Sequence, residues 1–170
     1  MPARTDLEHK AASPARVACY VITVSDTRTE DTDTGGRAVI ELLTAAGHQV
    51  AGRAIVKDDP EELRDCIGRQ LANPAVQVII STGGTGITSR DCSHEAVSAM
   101  LWKTIDGFGE IFRALSYQEI GAAAMMSRAV AGTIAGRVIV SLPGSEAAVR
   151  LAVEKLLVPE LGHLVREATR

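Results

Sequence analysis

The chain has 170 residues, 46% hydrophobic and 23% charged, and its 18 Lys and Arg against 21 Asp and Glu leave a formal net charge of −3. This is the composition of one globular domain, which excludes a disordered chain, and mild acidity without a basic block excludes a general nucleic-acid binder. Cys19, Cys66 and Cys92 are widely spaced and no apolar run nears a membrane span, so neither a disulfide framework, a structural zinc site nor a membrane helix is expected, and a reducing cytoplasm is the simplest setting.

Residues 1–14 read as a loose polar tail ending at Pro14, without the apolar stretch of a secretory signal, and residues 15–170 as the domain. Val17 to Ser25 is a continuous β-branched run, which predicts a strand covered on both faces. Asp26 to Gly36 is an acidic loop. Val39, Leu42, Leu43 and Ala46 make the stripe of a helix stopped by Gly47. Val50 to Val56 is a second strand. Asp59, Pro60 and Glu62 read as N-cap, first turn and N3 of a helix carrying Leu63, Ile67 and Leu71. Val76 to Ser81 is a third strand that runs into Thr82-Gly83-Gly84-Thr85-Gly86. Ser93 is the expected cap of a helix with Ala96, Val97 and Met100. A further helix carries Ile111, Phe112 and Leu115. Arg137 to Leu142 is a strand closed by Pro143-Gly144-Ser145, with Ser145 capping the next helix and Pro159 opening a short last one.

Strands alternating with helices predict an α/β fold: a three-layer α/β/α domain around a mostly parallel sheet. Ligands of such sheets bind at the carboxyl ends of the strands. Function is therefore expected in the loops 25–36, 57–60 and 81–93, joined by the turn at 143–145.

Glycines 83, 84 and 86 allow backbone N–H groups to converge on an anion, and they equally allow a tight exit from a strand. No Gly-Lys-Ser/Thr follows, so the turn is not a Walker A loop, and it does not match the dinucleotide pattern. Asp59 has a sufficient duty as a cap. Asp58 has none. Asp91 is open between a displaced cap and a ligand, and Asp33 between a helix cap and a site residue. Two Asp residues at strand ends beside a phosphate-friendly turn suggest Mg²⁺, which prefers one or two carboxylates plus substrate phosphates. Arg28, Lys57, Arg90 and Arg128 are candidates for further phosphate charge or ordinary surface cations. Cys92 and His94 lie two apart where a helix begins, so their side chains diverge and no nucleophile pair is expected.

The pieces Val24-Ser25-Asp26, Asp33-Thr34-Gly35-Gly36, Asp58, Ser81 to Gly86, Arg90-Asp91, Gly107-Phe108-Gly109-Glu110, Ser127-Arg128 and Leu142 to Ser145 occur in this order. In this they resemble the MoaB/MogA family of molybdenum cofactor biosynthesis proteins, which is related to the G domain of gephyrin. The resemblance runs from about Val17 to Leu157 and is closer to MoaB.

It implies an α/β/α fold assembling as a homotrimer or a homohexamer. It also implies a reaction, in which molybdopterin and ATP, with Mg²⁺, give adenylylated molybdopterin and pyrophosphate. By motif match the catalytic and metal-holding carboxylates fall on Asp58 and Asp91. Substrate contacts are expected at Ser25, Asp33, Gly36 and Arg90, along Thr82, Gly83, Gly84, Thr85 and Gly86, and at Pro143, Gly144 and Ser145. Other enzymes of the pathway are possible partners.

The chain departs from the family after Arg90-Asp91, where Cys92-Ser93-His94-Glu95-Ala96 stands for the common Val-Thr-Pro-Glu-Ala. The alternative function is a non-catalytic molybdopterin-binding or carrier protein, and a third is a nucleotide pyrophosphatase.

Overall fold

A computed structural model describes residues 12–170. The tail expected over 1–14 therefore lies outside the described residues as far as position 11. Six strands form one sheet: β1 (Ala18–Val24), β2 (Gln49–Val56), β3 (Val78–Thr82), β4 (Lys103–Thr104), β5 (Val130–Ile134) and β6 (Arg137–Leu142). Their order is β2-β1-β3-β6-β5-β4. Strands β1, β2, β3 and β6 are parallel, and β5 runs antiparallel to both β6 and β4.

The helices are α1 (Thr34–Ala45), α2 (Pro60–Leu71), α3 (Ser93–Met100), α4 (Asp106–Ile120), α5 (Glu146–Ala152) and α6 (Val158–Ala168). Alternation along the strands divides the apolar residues between two layers. Val78 and Ile80 of β3 and Val138 and Val140 of β6 meet α1, α4, α5 and α6 through Val39, Leu43, Phe112, Val149 and Leu161. Ile79 and Ile139 face the other way, toward Leu63, Ile67, Ala96 and Val97 of α2 and α3. This is the expected three-layer domain. Each fully buried Ile or Leu contributes about 1.5–3 kcal/mol of transfer free energy to it.

Several local expectations hold at their residues. Asp59 caps α2 by accepting from Glu61 N and Glu62 N, both at 2.9 Å, with Pro60 in the first turn. Ser145 caps α5 through Ala148 N at 3.3 Å. Gly47 follows α1 at φ +84°, the left-handed stop that glycine supplies cheaply.

The structure departs from the sequence reading in three places. Ser93 does not cap α3: the N-cap position is Cys92, and the Ser93 hydroxyl is fully buried without a hydrogen bond. Pro159 stands in the first turn of α6, as expected, but no loop precedes that helix. The chain stays helical from α5 into α6, widening to π spacing over Val153–Leu157 just ahead of the proline, where a wider turn relieves the clash of the ring with the preceding carbonyls. Strands β4 and β5 are additions, joined to the sheet by the two-residue turn Ala135-Gly136 between β5 and β6.

Beyond β1 and β3 the strand order reverses, since β2 lies to one side of β1 and β3 to the other. The loops after β1 and β3 thus flank the switch point of the sheet. At the other end of the fold, Ser13 and Pro14 pack against Gly162 of α6, which has no side chain to displace them.

Candidate functional site

Three loops meet at the carboxyl edge of β1, β3 and β6, and they meet backbone to backbone. Gly83 donates to Leu142 O at 3.0 Å and takes φ +100°, and a Cβ on it would collide with the Val24 carbonyl. A Cβ on Gly144 would come within 3.1 Å of the Gly83 Cα, and one on Gly35 within 3.2 Å of Gly144 O. Thr82 Oγ1 ties the end of β3 to the turn after β6 by donating to Pro143 O at 2.9 Å.

The result is a pair of adjoining clefts that share Gly83 and Gly144. One, of about 200 Å³, is lined by Thr23, Ser25, Arg28, Asp33, Gly35 and Thr82. The other, of about 300 Å³, runs along Gly84, Thr85 and Gly86 to Asp91, with Ala123 and Met126 on its far wall. The backbone N–H groups of Gly84 and Thr85 have no hydrogen bond among the described residues. Unpaired backbone donors in a turn with positive φ values form a concavity suited to an anion.

The two singled-out carboxylates flank this turn. Asp58 leaves β2 and lies against Gly84, where an added Cβ would come within 2.7 Å of its Oδ1. Asp91 lies against Gly86, where an added Cβ would come within 2.5 Å of its Oδ2. Asp91 Oδ2 accepts from Thr88 N at 2.9 Å and Thr88 Oγ1 at 2.6 Å. Those bonds hold its carboxyl below the ordinary aspartate value, so it is ionised well below neutral pH.

Asp58 Oδ1 accepts from the Cys92 thiol at 3.2 Å. Burial first, and Asp58 next, push that thiol up to about 12. Cys92 is therefore a protonated donor and no nucleophile at neutral pH. Among the described residues no three His, Cys, Asp or Glu side chains group to hold a metal by themselves. The pair fits an ion that takes one or two carboxylates and completes its shell with substrate phosphates.

Asp33 realises its cap reading. It is 2% exposed and accepts from Gly36 N at 2.8 Å, Thr23 Oγ1 at 2.7 Å and Arg53 at 3.0 Å, while still facing the smaller cleft. Gly36 is buried under those same atoms, with no room for a side chain. Ser25 Oγ holds its own loop by accepting from Thr27 N at 3.2 Å and Arg28 N at 3.1 Å.

The candidate cations have separate fates. Arg28 donates to Thr32 O at 2.6 Å and borders the smaller cleft. Arg90 pairs with Asp26, whose other oxygen accepts from Asp58 N at 3.2 Å. The side chain of Lys57 has no partner among the described residues. Arg128 turns inward: Nε donates to Thr85 O at 2.9 Å, the guanidinium also reaches Gly86 O, and its outer edge pairs with Glu95. It grips the carbonyl side of the glycine turn rather than offering a charge to solvent.

Sequence reasoning missed this use of Arg128, the part of Glu95, and the thiol on Asp58. Local spacing carries no signal for contacts between such distant residues. His94, which diverges from Cys92 as expected, borders a separate cavity of about 380 Å³ with Asp106, Glu110 and Arg113.

The profile of the family described as a probable molybdopterin binding domain matches residues 20–163. A protein of Bacillus cereus named molybdenum cofactor biosynthesis protein B is 51% identical over 164 residues, covering 96% of this chain and 97% of its own. Its namesake in Bacillus subtilis is 48% identical over 161 residues, covering 94% and 95%. A crystal structure of a molybdenum cofactor biosynthesis protein B superposes with TM-score 0.89 at 52% identity, covering 92% of this chain and 98% of that one. The tungsten cofactor synthesizing protein MoaB of Pyrococcus furiosus does so with TM-score 0.84 at 36% identity, covering 93% and 100%.

Proposed function

The chain belongs to the molybdopterin-binding domain family of molybdenum cofactor biosynthesis proteins, and from that premise we propose that it adenylylates molybdopterin with Mg-ATP, releasing pyrophosphate. The observation that carries this reading is the placing of Asp58 and Asp91 on either side of one glycine turn with free amides, at the switch point of the sheet.

The nucleophile is the terminal phosphate monoester of molybdopterin. Its second pKa is about 6, so it is mostly a dianion at neutral pH and needs no general base. One of its oxygens bonds to the α-phosphorus of ATP as the bond to the pyrophosphate oxygen breaks, and the electron pair leaves with pyrophosphate. The protein's work is to bring two polyanions together and keep them aligned.

The amides of Gly84 and Thr85 are preorganised donors for phosphate oxygens. The turn that carries them is held rigid by Arg128 behind it. Arg28 adds positive charge at the rim. Asp58 and Asp91 would hold Mg²⁺, which when bound neutralises charge on the phosphates. No proton has to be taken from the nucleophile.

The working form of this reading is a cytoplasmic homotrimer or homohexamer. Ile111, Ile120, Met125 and Met126, all exposed on and just after α4, offer apolar side chains to neighbouring copies. Among the described residues no helix is long and apolar enough to cross a membrane.

The test is direct. Purified protein with molybdopterin and Mg-ATP yields adenylylated pterin and pyrophosphate, and Asp58→Asn or Asp91→Asn lowers kcat by about 10²–10³-fold with unchanged circular dichroism. Tight molybdopterin binding without any product would replace the enzyme by a carrier. ATP hydrolysis in the absence of pterin would replace it by a pyrophosphatase.

A further inference from the structure

The carboxylate of Asp58 is held on one side only. Its Oδ1 accepts from the Cys92 thiol at 3.2 Å, a contact between residues 34 positions apart. The same oxygen packs on Gly84, and the fully buried Ser93 hydroxyl borders that glycine without a partner. The backbone of Asp58 is fixed from behind by Asp26 Oδ1 at 3.2 Å. Oδ2 has no partner among the described residues.

The terminal torsion of an aspartate is broad and roughly two-fold. A carboxylate with no donor on either oxygen would sample both settings. Here a single S–H selects one of them. Cys92 sits at the N-cap of α3 with no side-chain bond to the helix it precedes, so its thiol is free for Asp58.

We propose that Cys92 is the positioning residue of Asp58: its thiol pins Oδ1 against Gly84 and leaves Oδ2 as the oxygen available to substrate and its ion. The proposal rests on the adenylyl-transfer reading for the identity of the substrate and on the geometry for the contact. Cys92 itself touches neither reacting phosphate; it acts through Asp58.

Cys92→Val installs the residue that the family commonly has here, keeps a similar volume and removes the donor on which this chain's Asp58 rests, whereas Cys92→Ser keeps one. Followed by adenylyl transfer, Cys92→Val lowers kcat about tenfold with KM for ATP changed by less than about twofold, and Cys92→Ser restores most of the loss. Added to Asp58→Asn, Cys92→Val has no further effect, because the group it orients is already gone.

A second readout does not depend on turnover. Mn²⁺, followed by its electron paramagnetic resonance signal in the presence of ATP, binds about tenfold more weakly to Cys92→Val than to the wild type or Cys92→Ser. Equal kcat and equal Mn²⁺ binding in Cys92→Val and wild type overturn the assignment. So does an additive double variant, and so does a wild type that binds no Mn²⁺ with ATP. A wild type that binds Mn²⁺ but transfers no adenylyl group overturns the reaction alone, and the Mn²⁺ titration then decides the role of Cys92. Should Cys92→Val unfold, Cys92→Ala carries the same expectations.

Discussion

Arg128 makes its contacts to carbonyls and a carboxylate at once: Thr85 O, Gly86 O and Glu95. A planar guanidinium can serve three acceptors in this way, and an ammonium cannot match its fork. Arg128→Gln is expected to loosen the glycine turn, raising KM for ATP about tenfold and lowering stability by about 1–3 kcal/mol. Arg128→Lys recovers little of either. Steady-state kinetics and urea unfolding measure the two effects, and an unchanged KM in Arg128→Gln would remove the turn from the substrate's contacts. At this scale the sequence was readable where partners are close. Asp59 and Ser145 reveal themselves as caps because their acceptor work is finished within three residues. Arg128 reaches back 43 residues to Thr85 and Cys92 reaches 34 to Asp58, and no local pattern encodes such a pairing.

Between elements, two histidines make the fold sensitive to acid. His48, between α1 and β2, accepts the Val17 N–H on Nδ1 at 3.3 Å, which needs that nitrogen unprotonated. Burial lowers its pKa below 6.5. Burial first, and then Arg128, lower that of His94. In the unfolded chain both take up a proton near 6.5, and in the fold they resist it until lower pH. Over that interval the unfolded state binds more protons, so their stabilisation is complete above about pH 6.5 and is lost as pH falls below it. Asp91 and Glu95, whose values are lowered by Thr88 and Arg128 respectively, lose their share only in stronger acid. The midpoint of thermal unfolding is expected to drop by a few degrees between about pH 7.5 and about pH 5.5, and His48→Gln to flatten part of that slope; a wild-type midpoint that does not move would refute the coupling. Elements themselves were legible where apolar spacing runs long enough. Strand β4 has two residues, too few to show any period. The hairpin joining β5 to β6 turns at Ala135 and Gly136, with φ +48° and +73°, and alanine is not the residue that announces such a turn.

For the whole molecule, the apolar residues left on the surface matter most. Ile111, Ile120, Met125 and Met126 are each more than half exposed, and Met126 also borders the larger cleft. Light scattering at micromolar concentration should give three or six times the chain mass. Charged replacements at Ile111 and Met125 should shift it toward the monomer with the fold retained, and a monomeric wild type would leave these side chains without the proposed neighbours.

What the sequence determined by itself was whatever depends on neighbours within a turn or a strand: the layer order, the helix caps at Asp59 and Ser145, and the glycine-rich exit from β3. Tertiary structure alone decided which glycine of the turn each of Asp58 and Asp91 lies against, that Arg128 faces inward, that Ser93 is orphaned while Cys92 takes the carboxylate, and that two short strands extend the sheet. The reason is physical. Periodicity and capping are properties of the local chain, whereas the side on which a polar group finds its partner is set only when distant loops are packed against one another and each buried donor must be satisfied or left over.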